Sequence, residues 1–111
     1  MNKFEEREKG FEAKFRFDQD FEFRVKARAV RLLGLWTAMR MGEDGTQANE
    51  YAHALVEMMT VQPATDLATK VARDLDNTVS AMAVAAKYHE MRGKARQELA
   101  QEYHGDVGDG F

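Results

Sequence analysis

Three histidines, nineteen acidic residues and no cysteine bound the chemistry open to this 111-residue chain. His53 and Glu57 are four positions apart and would share one face of a helix, a spacing at which two side chains can reach one metal ion. No third ligand stands in step with them, so the pair reads as a solvated helix face. His89 adjoins Glu90 and His104 precedes a glycine-rich end; neither has a partner visible in the sequence. Lack of cysteine removes thiolate nucleophiles, thiolate metal sites and disulfides together. There is no Walker-type glycine loop to cradle a phosphate. The basic run Arg24, Lys26, Arg28 and Arg31 follows Glu22 and reads as a solvated face. No nucleophile, base and orienting group form a set. The chain is therefore read as non-enzymatic, with no catalytic residue, metal or cofactor.

Its more informative chemistry is apolar. Phe4, Phe11, Phe15, Phe17, Phe21 and Phe23 crowd the first 23 residues, and the only other phenylalanine is Phe111. Residues 1–31 are also the most densely charged part, with nine Lys/Arg against seven Asp/Glu; the remainder carries seven against twelve. Phe4, Phe11 and Phe15 fall at i, i+7 and i+11, on one side of a helix, with Arg7 and Lys14 elsewhere around it. Gly10 interrupts this segment and costs roughly 1 kcal/mol of helix stability relative to alanine. An isolated helix of this length is marginal in water. Two readings follow: the segment is loose alone and folds on a partner, or it turns back and its phenylalanines complete a core. Phenylalanine anchors at helical spacing suit insertion of a helix into a groove.

The elements that would carry such an arm are helical. One proline in the chain argues against a turn-rich β fold, and no stretch alternates long enough for a strand. Phe21, Val25, Ala29, Leu32, Trp36 and Met39 recur at steps of three and four, which predicts a helix from about Asp18, as cap, to Met41. Gly42 to Gly45 supplies a left-handed stop. Thr46 is the expected cap of a second helix, with Ala48, Ala52, Leu55, Val56 and Met59 inward and Pro63 as its end. Leu67, Val71 and Leu75 mark a third helix over 64–75, and Asp76-Asn77-Thr78 a break and cap. Val84, Tyr88, Met91, Ala95 and Leu99 mark the last, from about Val79 to Tyr103. The expected fold is all-α: a four-helix bundle (18–104) with a mobile, potentially helical N-terminal arm (1–17) and a flexible tail (105–111). Core positions include Phe21, Leu32, Trp36, Leu55, Val71 and Met91. Gly34, inside a helix, implies close approach of another helix. No apolar run reaches the ~18–20 residues of a membrane span, which favours a cytoplasmic location.

The residues 7–15, Arg-Glu-Lys-Gly-Phe-Glu-Ala-Lys-Phe, are followed by Asp18, Phe23, Ala27-Arg28 and Leu32-Leu33-Gly34-Leu35-Trp36. In this combination the chain resembles the zeta-subunit family of alphaproteobacterial F1Fo-ATP synthase, inhibitors of the F1-ATPase, over about residues 4 to 60. The last two helices match in length, apolar spacing and the ending Ala95-Arg96-Gln97-Glu98. Gly10 stands where the family more usually has alanine, and Phe17 and Phe23 add apolar mass. The resemblance implies a four-helix bundle whose arm enters an α/β catalytic interface of F1, reaches toward the γ subunit, folds as a helix and blocks rotation in the hydrolytic direction. Phe4, Arg7, Phe11, Lys14 and Phe15 would then be the contacts with F1. It implies a cytoplasmic protein, peripheral to the inner membrane through ATP synthase, with neither nucleic acid nor membrane insertion. The other reading is a helical adaptor of the same fold with weak or no inhibition.

Overall fold

A computed structural model describes the backbone of residues 3–109 and the side chains of residues 16–103. Four helices form a bundle: α1 (Lys3–Arg40), α2 (Gly45–Met59), α3 (Ala64–Asp74) and α4 (Ala81–Asp109). No strand occurs among the described residues. Helix α1 packs on α2 and α4, and α3 packs on α4.

The first helix does not begin at Asp18. It is continuous from Lys3, and Asp18 is an exposed residue in its interior rather than a cap. No proline interrupts residues 3–40, and lengthening a helix held elsewhere is far easier than nucleating one. Thirty-eight residues at ~1.5 Å each span roughly 57 Å, close to the 61 Å long dimension of the molecule. The leading segment thus continues the axis of α1 and does not turn back.

Two Schellman stops end helices. Gly42, at φ +80°, donates its N–H to the Met39 carbonyl, and Glu43 donates to the Ala38 carbonyl, closing α1. Asp76 and Asn77 close α3 in the same way, through Arg73 and Ala72, at φ 55° and 57°. Asp and Asn are the non-glycine residues that best tolerate this left-handed region. The two expected caps fall elsewhere. Thr46 lies inside α2, whose N-cap is the extended Asp44. Two successive left-handed residues delay the start of α4, so Ser80, not Thr78, accepts the first-turn N–H, from Ala83. Thr78 instead donates its hydroxyl to the Leu75 carbonyl.

The core is in two parts. The larger joins all four helices through Val30, Leu33, Leu55, Leu67, Val71, Ala72, Leu75 and Val84. The smaller lies between α1 and α4 and holds Val25, Ala29, Ala95 and Leu99. Tyr88 packs against both. Leu55 and Val71 are buried; Phe21, Leu32, Trp36 and Met91 are half-buried against these clusters. Trp36 is flanked by two cations, Arg40 at 5.2 Å and Lys87 at 5.4 Å from its ring centre. Met39 is not part of the inward stripe: it is 73% exposed. Contact with α2 rotates the buried face onto Thr37 and Ala38 instead, and the buried Thr37 hydroxyl donates to the Leu33 carbonyl at 2.8 Å.

Gly34 carries the close approach anticipated for it. A Cβ placed there would lie 2.6 Å from the Cα and 3.0 Å from the Cβ of Ala52 on α2. The obstacle is backbone and cannot swing aside. Gly34→Ala gains about 1 kcal/mol of helix propensity but forces α1 and α2 apart, so a net loss of about 1–3 kcal/mol is expected in denaturant unfolding. A variant as stable as the parent would show that the helices separate without cost.

Candidate functional site

The candidate site is the arm together with the seam that anchors it to the bundle. Phe4, Arg7, Phe11, Lys14 and Phe15 all lie on the helical backbone of α1, and their side chains fall outside the described residues. The described site begins at the base of the arm, where α1 runs against the C-terminal half of α4.

Three kinds of contact make this seam. Its centre is the buried line of Val25, Ala29, Ala95 and Leu99. Charge pairs flank it. Arg96 donates from Nη1 and Nη2 to the two oxygens of Glu22, at 2.6 and 2.8 Å, and Arg92 stands 3.5 Å from the same carboxylate. Arg28 meets Glu102 in the same two-pronged way, at 2.8 and 3.0 Å. Glu22 and Arg28 are six positions apart, which places them about 120° apart around α1, on either side of Val25. Paired N–H···O bonds fix orientation more firmly than a point-charge contact. At the open end of the seam, Phe17 and Phe21 stack at 6.3 Å and Tyr103 meets both edge-on, at 5.4 and 5.6 Å. Arg24 stands 6.0 Å from the Tyr103 ring centre and also pairs with Asp20.

The residues that only the structure brings out are the charge partners across the α1–α4 seam. Glu22, Arg28, Arg96 and Glu102 look like ordinary surface charges in sequence. Their pairings join positions 74 residues apart, so no local spacing reveals them. Phe17 and Phe23 remain about half exposed, at 50% and 54%.

Elsewhere the chemistry is spare. His53 lies 3.0 Å from Glu57 on an exposed face of α2, and no group of three metal-ligating side chains occurs among the described residues. A cleft of about 610 Å³ opens among α1, α3 and α4, floored by Val30, Leu33, Leu67 and Val84, with Lys26, His89 and Arg92 also lining it. Tyr51 donates to Asp74, which also receives Lys70, tying α2 to α3. Burial pushes the Tyr51 hydroxyl well above its ordinary pKa, and the bond to Asp74 adds to this. At Asp74, burial raises the pKa, but Lys70 and Tyr51 together outweigh it and the carboxyl ends below its usual range. No helix among the described residues is long and apolar enough to cross a membrane.

The family model of the ATPase inhibitor subunit zeta matches residues 1–98. The chain belongs to that family. The match takes in the arm, the whole of α2 and α3, and α4 as far as Glu98. The family is one of inhibitor subunits, regulatory rather than catalytic. No curated protein and no solved structure gives a match to the chain.

In this zeta-family chain the seam is sensitive to acid. The bonds from Arg96 hold the Glu22 carboxyl below its usual range, and those from Arg28 do the same to Glu102. A carboxyl whose folded pKa is depressed stabilises the fold fully above its unfolded value, near ~4.3, and loses that contribution as pH falls through the folded value. The expected result is a stability difference between the parent and Glu22→Gln/Glu102→Gln at pH 7 that closes below about pH 4. Thermal unfolding across pH 3–7 measures it. A difference independent of pH would mean that the pairs contribute nothing through their charge.

Proposed function

We propose that the chain inhibits ATP hydrolysis by binding the F1 sector of ATP synthase and inserting its N-terminal helix at an α/β catalytic interface. The observation that carries this reading is the continuity of α1: the arm and the first bundle helix are one rod, in a chain of an inhibitor family. On this reading the arm comprises residues 1–17 and the bundle residues 18–104; the expected tail from 105 is not loose chain at its start, because α4 continues through it to Asp109.

Phe4, Phe11 and Phe15 provide apolar anchors, each stabilising by about 1.5–3 kcal/mol when fully desolvated. Arg7 and Lys14 pair with carboxylates of the partner and set the orientation of the helix. The bundle, 20–30 Å across its shorter dimensions, is too bulky to follow a single helix into a cleft between subunits. It stays outside as a stop while the tip reaches toward γ. Such a device needs shape and stiffness and no reacting group. Its place is cytoplasmic, on the peripheral sector of a membrane-bound synthase.

Continuity also supplies a register argument. On an unbroken α-helix, positions 4, 11, 15, 22, 29 and 33 follow one another at seven- and four-residue steps and share a stripe. From Glu22 onward that stripe faces the bundle: Glu22 meets Arg96, and Ala29 and Leu33 are buried. The anchors therefore extend the stripe that the bundle covers further along, and F1 takes over the covering role beyond the end of the seam.

Removing residues 1–15 tests the reading. The shortened chain is expected to retain its helical content, less the deleted turns, and to lose inhibition of ATP hydrolysis by the cognate F1 sector. Full inhibition by the shortened chain would favour an adaptor acting through the bundle. Gly10→Ala is expected to tighten inhibition about fivefold, the equivalent of the ~1 kcal/mol that glycine costs in a helix. An unchanged titration would show that helix formation does not limit binding.

A further inference from the structure

We propose that the C-terminal half of α4 is a splint for the arm: Arg96, Glu102 and Tyr103 hold residues 16–28 helical and in line before any partner is met. The inference rests on the reading of the arm as the inhibitory element and assigns to these three a positioning role in inhibition.

A helix of the arm's length is marginal in water because its first turn fixes several residues for a single hydrogen bond, with a nucleation constant of about 10⁻³. Adding a residue to a helix that already exists carries no such penalty. The seam supplies the existing helix. Its described contacts on α1 run from Phe17 to Ala29, and those on α4 reach Tyr103, the last residue of α4 whose side chain is described. Both flanking charge pairs are two-pronged, which fixes the roll of α1 about its own axis as well as its position. The aromatic trio closes the end nearest the arm, with Tyr103 edge-on to Phe17 and Phe21. Phe17 is still half exposed, which leaves part of its ring for a partner to cover.

A splinted base does two things for an inhibitor. The arm enters its cleft by extending α1 toward the N-terminus, so the ordering needed on contact is confined to the inserted turns. The bundle is also coupled stiffly to the inserted helix, and the stop it provides acts at a fixed distance from the tip. A loose joint at residues 16–24 would surrender both.

The experiment uses the full-length chain and three variants: Tyr103→Ala, Arg96→Gln and Tyr103→Phe. Amide exchange in the free protein reports the splint, and inhibition of ATP hydrolysis by F1 reports its consequence. Tyr103→Ala is expected to speed exchange at residues 16–24 about tenfold and Arg96→Gln about threefold, each leaving exchange around Leu55 and Val71 unchanged and weakening inhibition by a similar factor. Tyr103→Phe keeps the ring edge and is expected to match the parent in both readouts. Unchanged exchange at 16–24 overturns the splint. Faster exchange with undiminished inhibition overturns its role as a positioning device, as does a Tyr103→Phe variant as impaired as Tyr103→Ala. The reading of the arm fails separately, by inhibition that survives removal of residues 1–15, whatever the exchange data show.

Discussion

The fold depends on how one long helix is held along part of its length. Helix α1 has thirty-eight residues, and its described contacts with the rest of the molecule begin only at Phe17. Val25, Ala29, Ala95 and Leu99 remove a narrow apolar line from water, and small residues there let α1 and α4 lie close together. Exposed ion pairs alone contribute little, on the order of 0–1 kcal/mol each. Their value here lies in direction. Two forked pairs on opposite sides of a thin apolar line resist roll of α1 in both senses.

The larger core does a different job. It joins four helices around Leu33, Leu55, Val71 and Val84, and it locks the far half of α1 against α2 through the Gly34–Ala52 approach. The firm end of the molecule is therefore the end away from the arm. Helix α3, of eleven residues, reaches only part of the way along the bundle, so the seam near the arm rests on α1 and α4 alone. Among the described residues, packing by four helices at one end and by two at the other grades the support along α1.

Much of this architecture is legible in the sequence because three- and four-residue spacing of apolar residues is a local signal. Leu67, Val71 and Leu75, or Ala48, Ala52 and Leu55, identify their own buried faces. The stop at Gly42 and the close contact at Gly34 follow from the special properties of glycine. What escapes a sequence reading is set by distant partners. Met39 continues the apolar periodicity but faces solvent, while Thr37 is polar and wholly buried, because contact with α2 selects the face. The start of α1 at Lys3 escapes too: a capping residue at Asp18 is a local cue, and it is overridden by a helix anchored farther along. Glu22, Arg28, Arg96 and Glu102 carry no signal at all until the two helices are placed side by side. For the arm, the sequence offers spacing, glycine content and family resemblance, and the structure adds a backbone continuous with the bundle.

Glu22 marks a boundary in this arrangement. It falls on the stripe that carries Phe4, Phe11 and Phe15 before it and Ala29 and Leu33 after it, and it is the one charged residue among those six. An apolar residue there would join two apolar runs into one, and nothing in the pattern would say where the bundle's claim on α1 ends. A carboxylate answered by Arg96 and Arg92 marks that place with a directional contact between the two helices. Register specified by one buried or half-buried polar group is a known use of charge between helices. In this chain such a group stands where the α1 face that packs on α4 begins its apolar line of Val25 and Ala29.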